Sequence, residues 1–286
     1  MRFVLIDYVQ RPGNETPPAS AILPPANQME SLSTRVEPVI STTRATTRVS
    51  EQRFFMFMSV LLFATALVGF GANTLAIVAG SRAVRTPTLL FNAHATLMFA
   101  WLLLLVVQTS LNAAGQRGLH KRLGQIAFVL VPVITVVMIL VSTINLWVRP
   151  EWPPQRYNVL LLQFRAIMLF PFFVGWALLA RRSSLGTHKR LMIIGTAVLL
   201  DAAITRIPWL PGGGARNRGY EVMSAYQVLL LTPLIVHDLR TTGRLHRATM
   251  IGVGLFAVST VMLNALWGSE WWIQAAPRLL HIGVVN

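Results

Sequence analysis

The chain has 286 residues, of which 54% are hydrophobic and only 12% charged, and its mean hydropathy is +0.57. A soluble domain usually carries about twice that charged fraction, so membrane insertion is the primary expectation. The formal net charge is +15 and there is no cysteine, which excludes disulfides, Cys-ligated iron–sulfur clusters and covalent haem attachment.

Residues 1–52 are polar and rich in Pro, Ser and Thr, with Pro17-Pro18 and Pro24-Pro25. They show no periodic apolar face and are expected to be a disordered cytoplasmic segment. The opening Met1-Arg2-Phe3-Val4-Leu5-Ile6 is interrupted too early by Asp7 to form a signal-peptide core. Seven apolar runs follow, at residues 54–78, 89–113, 123–147, 159–179, 191–207, 222–235 (reaching His237) and 250–267. A bilayer crossing needs roughly 20 residues. The fifth and sixth runs are short and carry polar groups, which makes them the weakest spans. The tail, with Trp271, Trp272 and Pro277, is expected to lie at the membrane interface.

Basic residues set the expected orientation. Arg and Lys are denser around residues 44–53, 117–122, 181–190 and 240–247 than around 82–85, 149–156, 206–218 and 278. The denser side should be cytoplasmic, placing the N-terminus inside and the C-terminus outside. Trp147, Trp152, Trp209, Trp267, Trp271 and Trp272 then fall at outer helix ends, where an aromatic belt would form.

One stretch recurs on the basic side. Gly118-Leu119-His120-Lys121-Arg122-Leu123 returns as Gly186-Thr187-His188-Lys189-Arg190-Leu191, and loosely as Gly243-Arg244-Leu245-His246-Arg247. Lys121 and Lys189 are the only lysines. Each copy opens an apolar run, so these cations are expected at helix N-termini. Cations are unfavourable there unless an anion joins them, and lipid phosphate is the nearest anion. His120, Lys121, Arg122, His188, Lys189, Arg190, His246 and Arg247 are therefore the candidate contacts to anionic lipid headgroups. Haem propionates or a charged substrate remain the alternative. No basic aromatic module is present, so nucleic acid is not an expected partner.

The other polar group lies inside the runs. Asp201 and Arg165 each sit about seven residues, or about 10 Å, below the outer ends of their helices. His94 falls at similar depth, with Tyr226 and Gln227 somewhat nearer the surface. Charges inside a membrane must pair or face the bundle interior. A cluster of His94, Arg165, Asp201, Tyr226 and Gln227 follows, either as a structural ion pair or as a site for a ligand, proton or quinone.

A b-type haem needs two facing histidines at matching depth. His94 has none on the outer side except His281 in the tail, so haem b would have to rest on His120, His188, His237 or His246 near the inner rim. The Pro211-Gly212-Gly213-Gly214 stretch lacks the Gly-Lys-Ser/Thr of a phosphate-binding loop, and no hydrolase, nuclease or deaminase pattern occurs. No catalytic residue or metal site is expected.

The stretch from His94-Ala95-Thr96-Leu97-Met98-Phe99-Ala100-Trp101 to Leu119-His120-Lys121-Arg122-Leu123-Gly124, with Thr187-His188-Lys189-Arg190-Leu191-Met192 and His237-Asp238-Leu239-Arg240, resembles a set of uncharacterised multi-helix bacterial inner-membrane proteins. The resemblance covers most of residues 54–270. It implies location and helical architecture and brings no activity. More distantly, His188-Lys189-Arg190-Leu191-Met192 resembles a step in membrane proteins of cytochrome oxidase assembly, and cytochrome b bundles are a further comparison.

The expectation is an all-α polytopic transmembrane helix bundle of about seven spans. Its parts are a disordered segment 1–52, the bundle 53–268 and an interfacial tail 269–286. The first functional expectation is a non-catalytic assembly, scaffold or small-ligand-binding factor. The alternatives are a membrane redox protein with b-type haem or quinone, and a transporter using the intramembrane Asp, Arg and His.

Overall fold

In hydrocarbon a chain can satisfy its backbone N–H and C=O groups within a single segment only as a helix. The computed structural model describes residues 49–71, 74–75, 78–80, 89–147, 157–207, 209–211 and 220–279. The expected disordered segment lies outside them up to residue 48. The chain divides after Ser50, and of the earlier residues only Val49 and Ser50, which open the first helix, are described.

The elements in order are α1 (Val49–Gly71), α2 (Leu89–Ala113), α3 (Arg117–Gly124), α4 (Ala127–Trp147) and α5 (Asn158–Ala180). Then come α6 (Leu185–Ala197), a 3₁₀ turn (Val198–Leu200), α7 (Asp201–Ile204), α8 (Glu221–Thr242), α9 (Arg247–Leu266) and α10 (Glu270–Leu279). No strand occurs among the described residues. Helix α1 starts a few residues earlier than expected, and its first turn carries Glu51, which proves structurally important.

Among the described residues, six helical stretches are long and apolar enough to cross a membrane: α1, α2, α3 continued by α4, α5, α8 and α9. The buried share of their most apolar windows runs from 17% in α2 to 44% in α5. Most of their apolar surface therefore faces outward, where only lipid makes it favourable. The chain is a multi-pass, all-helical membrane protein.

The fifth run behaves differently. From Leu185 to Ile204 it is helical in three pieces, about 30 Å long at about 1.5 Å per residue or slightly more. It is less apolar than the membrane-crossing helices because little of it beyond its first turn faces lipid. Leu191, Ile193, Ile194, Thr196, Ala197, Val198 and Leu200 are all buried, and α5, α8 and α9 pack around it. The expected weak span is the central post of the bundle.

Small residues let its neighbours close in. A Cβ on Gly195 would stand 3.0 Å from Phe173 Cβ and Val174 Cγ2 of α5, and one on Gly252 of α9 would stand 2.7 Å from Ile194 Cδ1. At Gly69 of α1 a Cβ would run into the backbone of Ala203 in α7. Buried polar pairs add register. Trp101 Nε1 of α2 donates to Thr196 Oγ1 at 3.1 Å, and Ser59 of α1 meets Thr109 of α2 at 2.6 Å between hydroxyls.

The helix hairpins use the recurring histidine. His120 Nδ1 lies 3.1 Å from the Gln108 carbonyl of α2, and His188 Nδ1 lies 2.9 Å from the Ala177 carbonyl of α5. In each case a histidine opening one helix is fastened to the last turns of the helix before it. Turned to pair both groups, the Gln108 side-chain amide also donates to the His120 carbonyl (3.0 Å) and accepts from Gly124 N (2.8 Å). Ser184 caps α6 by accepting from Thr187 N at 3.3 Å. Gly243 ends α8 with φ +69°, a left-handed conformation that costs other residues a Cβ clash.

Candidate functional site

Two polar centres lie at opposite ends of the post. The first is nearer the Trp267 end and joins α5, α7, α8 and α9. Arg165 is two turns into α5, and its long side chain reaches across to α8, where Nη2 donates to Gln227 Oε1 at 2.9 Å. Its Nη1 stands 3.8 Å from Asp201 Oδ2. The guanidinium carbon lies 4.3 Å from the centroid of the Phe256 ring of α9, a cation–π contact. Tyr220, just before α8, donates its hydroxyl to Asp201 Oδ1 and stacks on Trp267 at 5.0 Å. One turn along, Ser224 accepts from Asn264 Nδ2 at 2.9 Å.

Asp201 reaches this place because α6 breaks into a 3₁₀ turn immediately before it, so the carboxylate opens α7 rather than continuing the regular spiral of the post. Arg165, Asp201 and Gln227 are 6%, 5% and 1% exposed. An ion pair about 4 Å apart gains about 4 kcal/mol at an effective dielectric of 20. Removing each ion from water costs several kcal/mol. The pair as placed does not close that gap by itself, and several polar atoms in it have no partner. These are Arg165 Nε and Nη1, Asp201 Oδ2, Gln227 Nε2 and, nearby, Asn264 Oδ1. Buried donors and acceptors are rarely left so.

The second centre lies at the His188 end and is closed. Asp238 of α8 is fully buried. Its Oδ1 accepts from Arg190 Nε at 2.9 Å and Nη2 at 2.6 Å. Its Oδ2 accepts from Thr249 Oγ1 at 2.6 Å and from His246 N at 3.1 Å. Arg190 Nη1 donates to the Gly186 carbonyl at 3.1 Å and faces Glu51 of α1 at 3.9 Å. Glu51 in turn takes Lys189 Nζ at 3.0 Å. Two acids and two bases thus tie together α1, α6, α8 and α9. The His237 ring stacks on Phe54 with centroids 3.8 Å apart. His246 is the N-cap of α9, its Nδ1 accepting from Ala248 N at 3.1 Å. Burial, and then the nearby Arg190 charge, hold the His246 imidazole below its usual pKa.

The structure brings Arg165, Asp201 and Gln227 together and leaves His94 and Tyr226 outside. His94 Nδ1 is buried with no hydrogen bond, beside Phe91 at 6.5 Å. Tyr226 turns outward, its hydroxyl donating to the Pro211 carbonyl at 3.2 Å. Tyr220 takes the place expected for it. It lies six residues earlier, before the apolar run, and so escaped a search confined to the spans.

The expected lipid-contact set also divides. Lys121, Arg122 and Arg247 are exposed. Arg190 is 4% exposed and its charge is met by Asp238, so burial takes it away from any headgroup. Asp238, Glu51 and Thr249 were not singled out from sequence. Acidic residues are few in this chain, and each one beside an apolar run could have been tested as a partner for a buried arginine. Among the described residues no group of three or more His, Cys, Asp or Glu could hold a metal ion. No family model matches the chain, and neither a curated protein nor a solved structure matches it.

Proposed function

We propose that this protein is a non-catalytic, small-ligand-binding membrane protein whose site is the Arg165–Asp201–Gln227 centre. One observation carries the reading: a charged pair sealed inside the bundle, with Arg165 Nε and Nη1, Asp201 Oδ2 and Gln227 Nε2 all unpartnered. The second centre shows that this chain can close a buried charge network completely, since both Asp238 oxygens are taken. The first centre is short of partners, and a bound molecule would supply them. The experiment is native mass spectrometry of protein extracted in mild detergent. The wild type should release a small molecule that an Arg165→Met variant of native helicity does not carry. Release of nothing by the wild type, or of the same molecule by both, overturns the reading.

The proposed setting is the bacterial inner membrane, with the His188 end cytoplasmic. The density of Arg and Lys at that end supports this orientation. Exposed Lys121, Arg122 and Arg247 are then placed to meet anionic lipid headgroups.

A second reading is a b-type haem at that end. It is favoured by His188, whose Nδ1 is held by the Ala177 carbonyl. Such a bond leaves Nε2 as the free lone pair, as in iron-ligating histidines. A Soret band in the purified protein that disappears in His188→Ala supports this reading, and its absence removes it.

A further inference from the structure

The pattern of unpartnered atoms specifies the chemistry of the ligand, taking the small-ligand reading as given. With the Asp201 carboxyl ionised, Arg165 and Asp201 carry opposite charges and cancel. An added anion or cation would leave a net charge deep in a low-dielectric interior, which is strongly unfavourable. The ligand is therefore neutral.

The free groups are of both kinds. Arg165 Nε, Arg165 Nη1 and Gln227 Nε2 are donors without acceptors, and Asp201 Oδ2 and Asn264 Oδ1 are acceptors without donors. A ketone or ether oxygen answers only the first set. A hydroxyl answers both, because it accepts through its lone pairs and donates its proton. The 3.8 Å separation of Arg165 Nη1 and Asp201 Oδ2 is too long for a direct hydrogen bond. It is short enough for one oxygen to lie within about 2.8 Å of both.

Flat aromatic surfaces border the same atoms. Phe256 covers the Arg165 guanidinium at 4.3 Å. The stacked Tyr220–Trp267 pair adjoins Asp201 through the tyrosine hydroxyl. The site is about 10 Å along α5 from its Asn158 end, among helices that present apolar faces outward. A molecule partitioning into the bilayer reaches it more readily than a hydrated solute.

We infer that the ligand is a neutral ring bearing a hydroxyl, of the quinol class, whose O–H lies between Arg165 Nη1 and Asp201 Oδ2. Its oxygen accepts from the arginine and its O–H donates to the carboxylate. Only binding is proposed, with no electron transfer.

The test is a calorimetric titration of the full chain in nanodiscs, without oxygen. The probes are a short-chain benzoquinol and the matching benzoquinone, which lacks the O–H. The wild type should bind the quinol about tenfold more tightly, the value of one charge-assisted hydrogen bond. In Asp201→Asn the preference should fall to near parity, because the new amide can donate to the quinone carbonyl. In Gln227→Leu both probes should weaken alike, with the preference kept. Equal binding of both probes by the wild type, or a preference retained in Asp201→Asn, overturns the inference. Should Asp201→Asn fail to fold, the wild-type and Gln227→Leu titrations still decide it. If neither probe binds but mass spectrometry still finds a molecule lost in Arg165→Met, the quinol class falls and the small-ligand reading stands. If neither probe binds and no molecule is released, both fall, and water alone serves these atoms.

Discussion

Arg190 grips Asp238 through Nε at 2.9 Å and Nη2 at 2.6 Å, whereas Arg165 approaches Asp201 through a single contact of 3.8 Å. The two pairs lie at opposite ends of the same central helix, and one is closed where the other is open. Removing one member of a buried, fully bonded pair strands the other charge and costs about 3–5 kcal/mol. Asp238→Asn should lose that much stability, read as a large drop in the thermal unfolding midpoint in detergent. Asp201→Asn should also destabilise, but by less. Arg165 would keep its Gln227 bond and its Phe256 contact, and it gains little at 3.8 Å in the first place. An Asp201→Asn loss as large as that of Asp238→Asn would contradict the ranking.

The approach of α1 to α7 leaves no room at Gly69. Gly69→Ala should force the Ala203 backbone away and cost about 1–3 kcal/mol, the usual range for overpacking. Gly254 in α9 offers a control, because nothing lies within 4 Å of a Cβ built there. Gly254→Ala should be neutral or stabilising by about 0.5–1 kcal/mol through helix propensity. Thermal shift of the two variants side by side checks the contrast.

His246 gives the protein a pH dependence at the start of α9. Its Nδ1 must be unprotonated to accept from Ala248 N. Its pKa in the folded protein is lowered, first by burial and then by Arg190. The unfolded chain, with an ordinary value of about 6.5, therefore binds the proton more readily. Stability from this cap is fully present above about pH 6.5 and is lost as pH falls through the lower folded value. His246→Asn keeps a capping oxygen that does not titrate in this range. The wild type should lose midpoint temperature faster than His246→Asn between about pH 7 and pH 5, and run parallel to it above pH 7. Parallel curves throughout would show that the cap does not titrate.

The two hairpin histidines should act independently. His120→Ala and His188→Ala each remove one bond from imidazole to backbone carbonyl, worth about 0.5–1.5 kcal/mol. They fasten different helix pairs and share no hydrogen-bond partner, though the His188 ring feels the charge of His120, so the double variant should show the sum to within about 0.5–1 kcal/mol. A strongly non-additive result would mean that the two rings share a partner, as a common haem would require.

Periodicity and composition made the helices legible, because a span must be long and apolar for reasons that need no tertiary knowledge. Depth along the spans likewise brought Arg165 and Asp201 to one level, with Gln227 somewhat nearer the surface, and the structure joins the three. Azimuth was not legible. Tyr226 shares that depth region but bonds the Pro211 carbonyl instead, and a single sequence gives the height of a residue far better than its direction. The burial of α6 was hidden for a related reason. A short run with Gly and Thr reads as a weak span when lipid is assumed to surround every helix. The same composition is what a helix encircled by protein requires. The Arg190–Asp238 pair was missed because an arginine beside a lysine at a helix start suggests a membrane surface.

The complete enclosure of α6 also bears on how the chain enters the bilayer. A helix with Arg190 near its start and Asp201 near its end, and no apolar face reserved for lipid, has little reason to leave the translocation channel alone. Helix α5 offers the longest shared surface and, through His188 and the Ala177 carbonyl, a latch formed within one hairpin. Insertion of α5 and α6 as a joined pair would then leave two buried arginines waiting for their acids. Arg165 could meet Asp201 within the pair, but Arg190 must wait for Asp238 on α8. The order of synthesis thus leaves Arg190 with Glu51 of α1 as its acidic neighbour until Asp238 of α8 arrives.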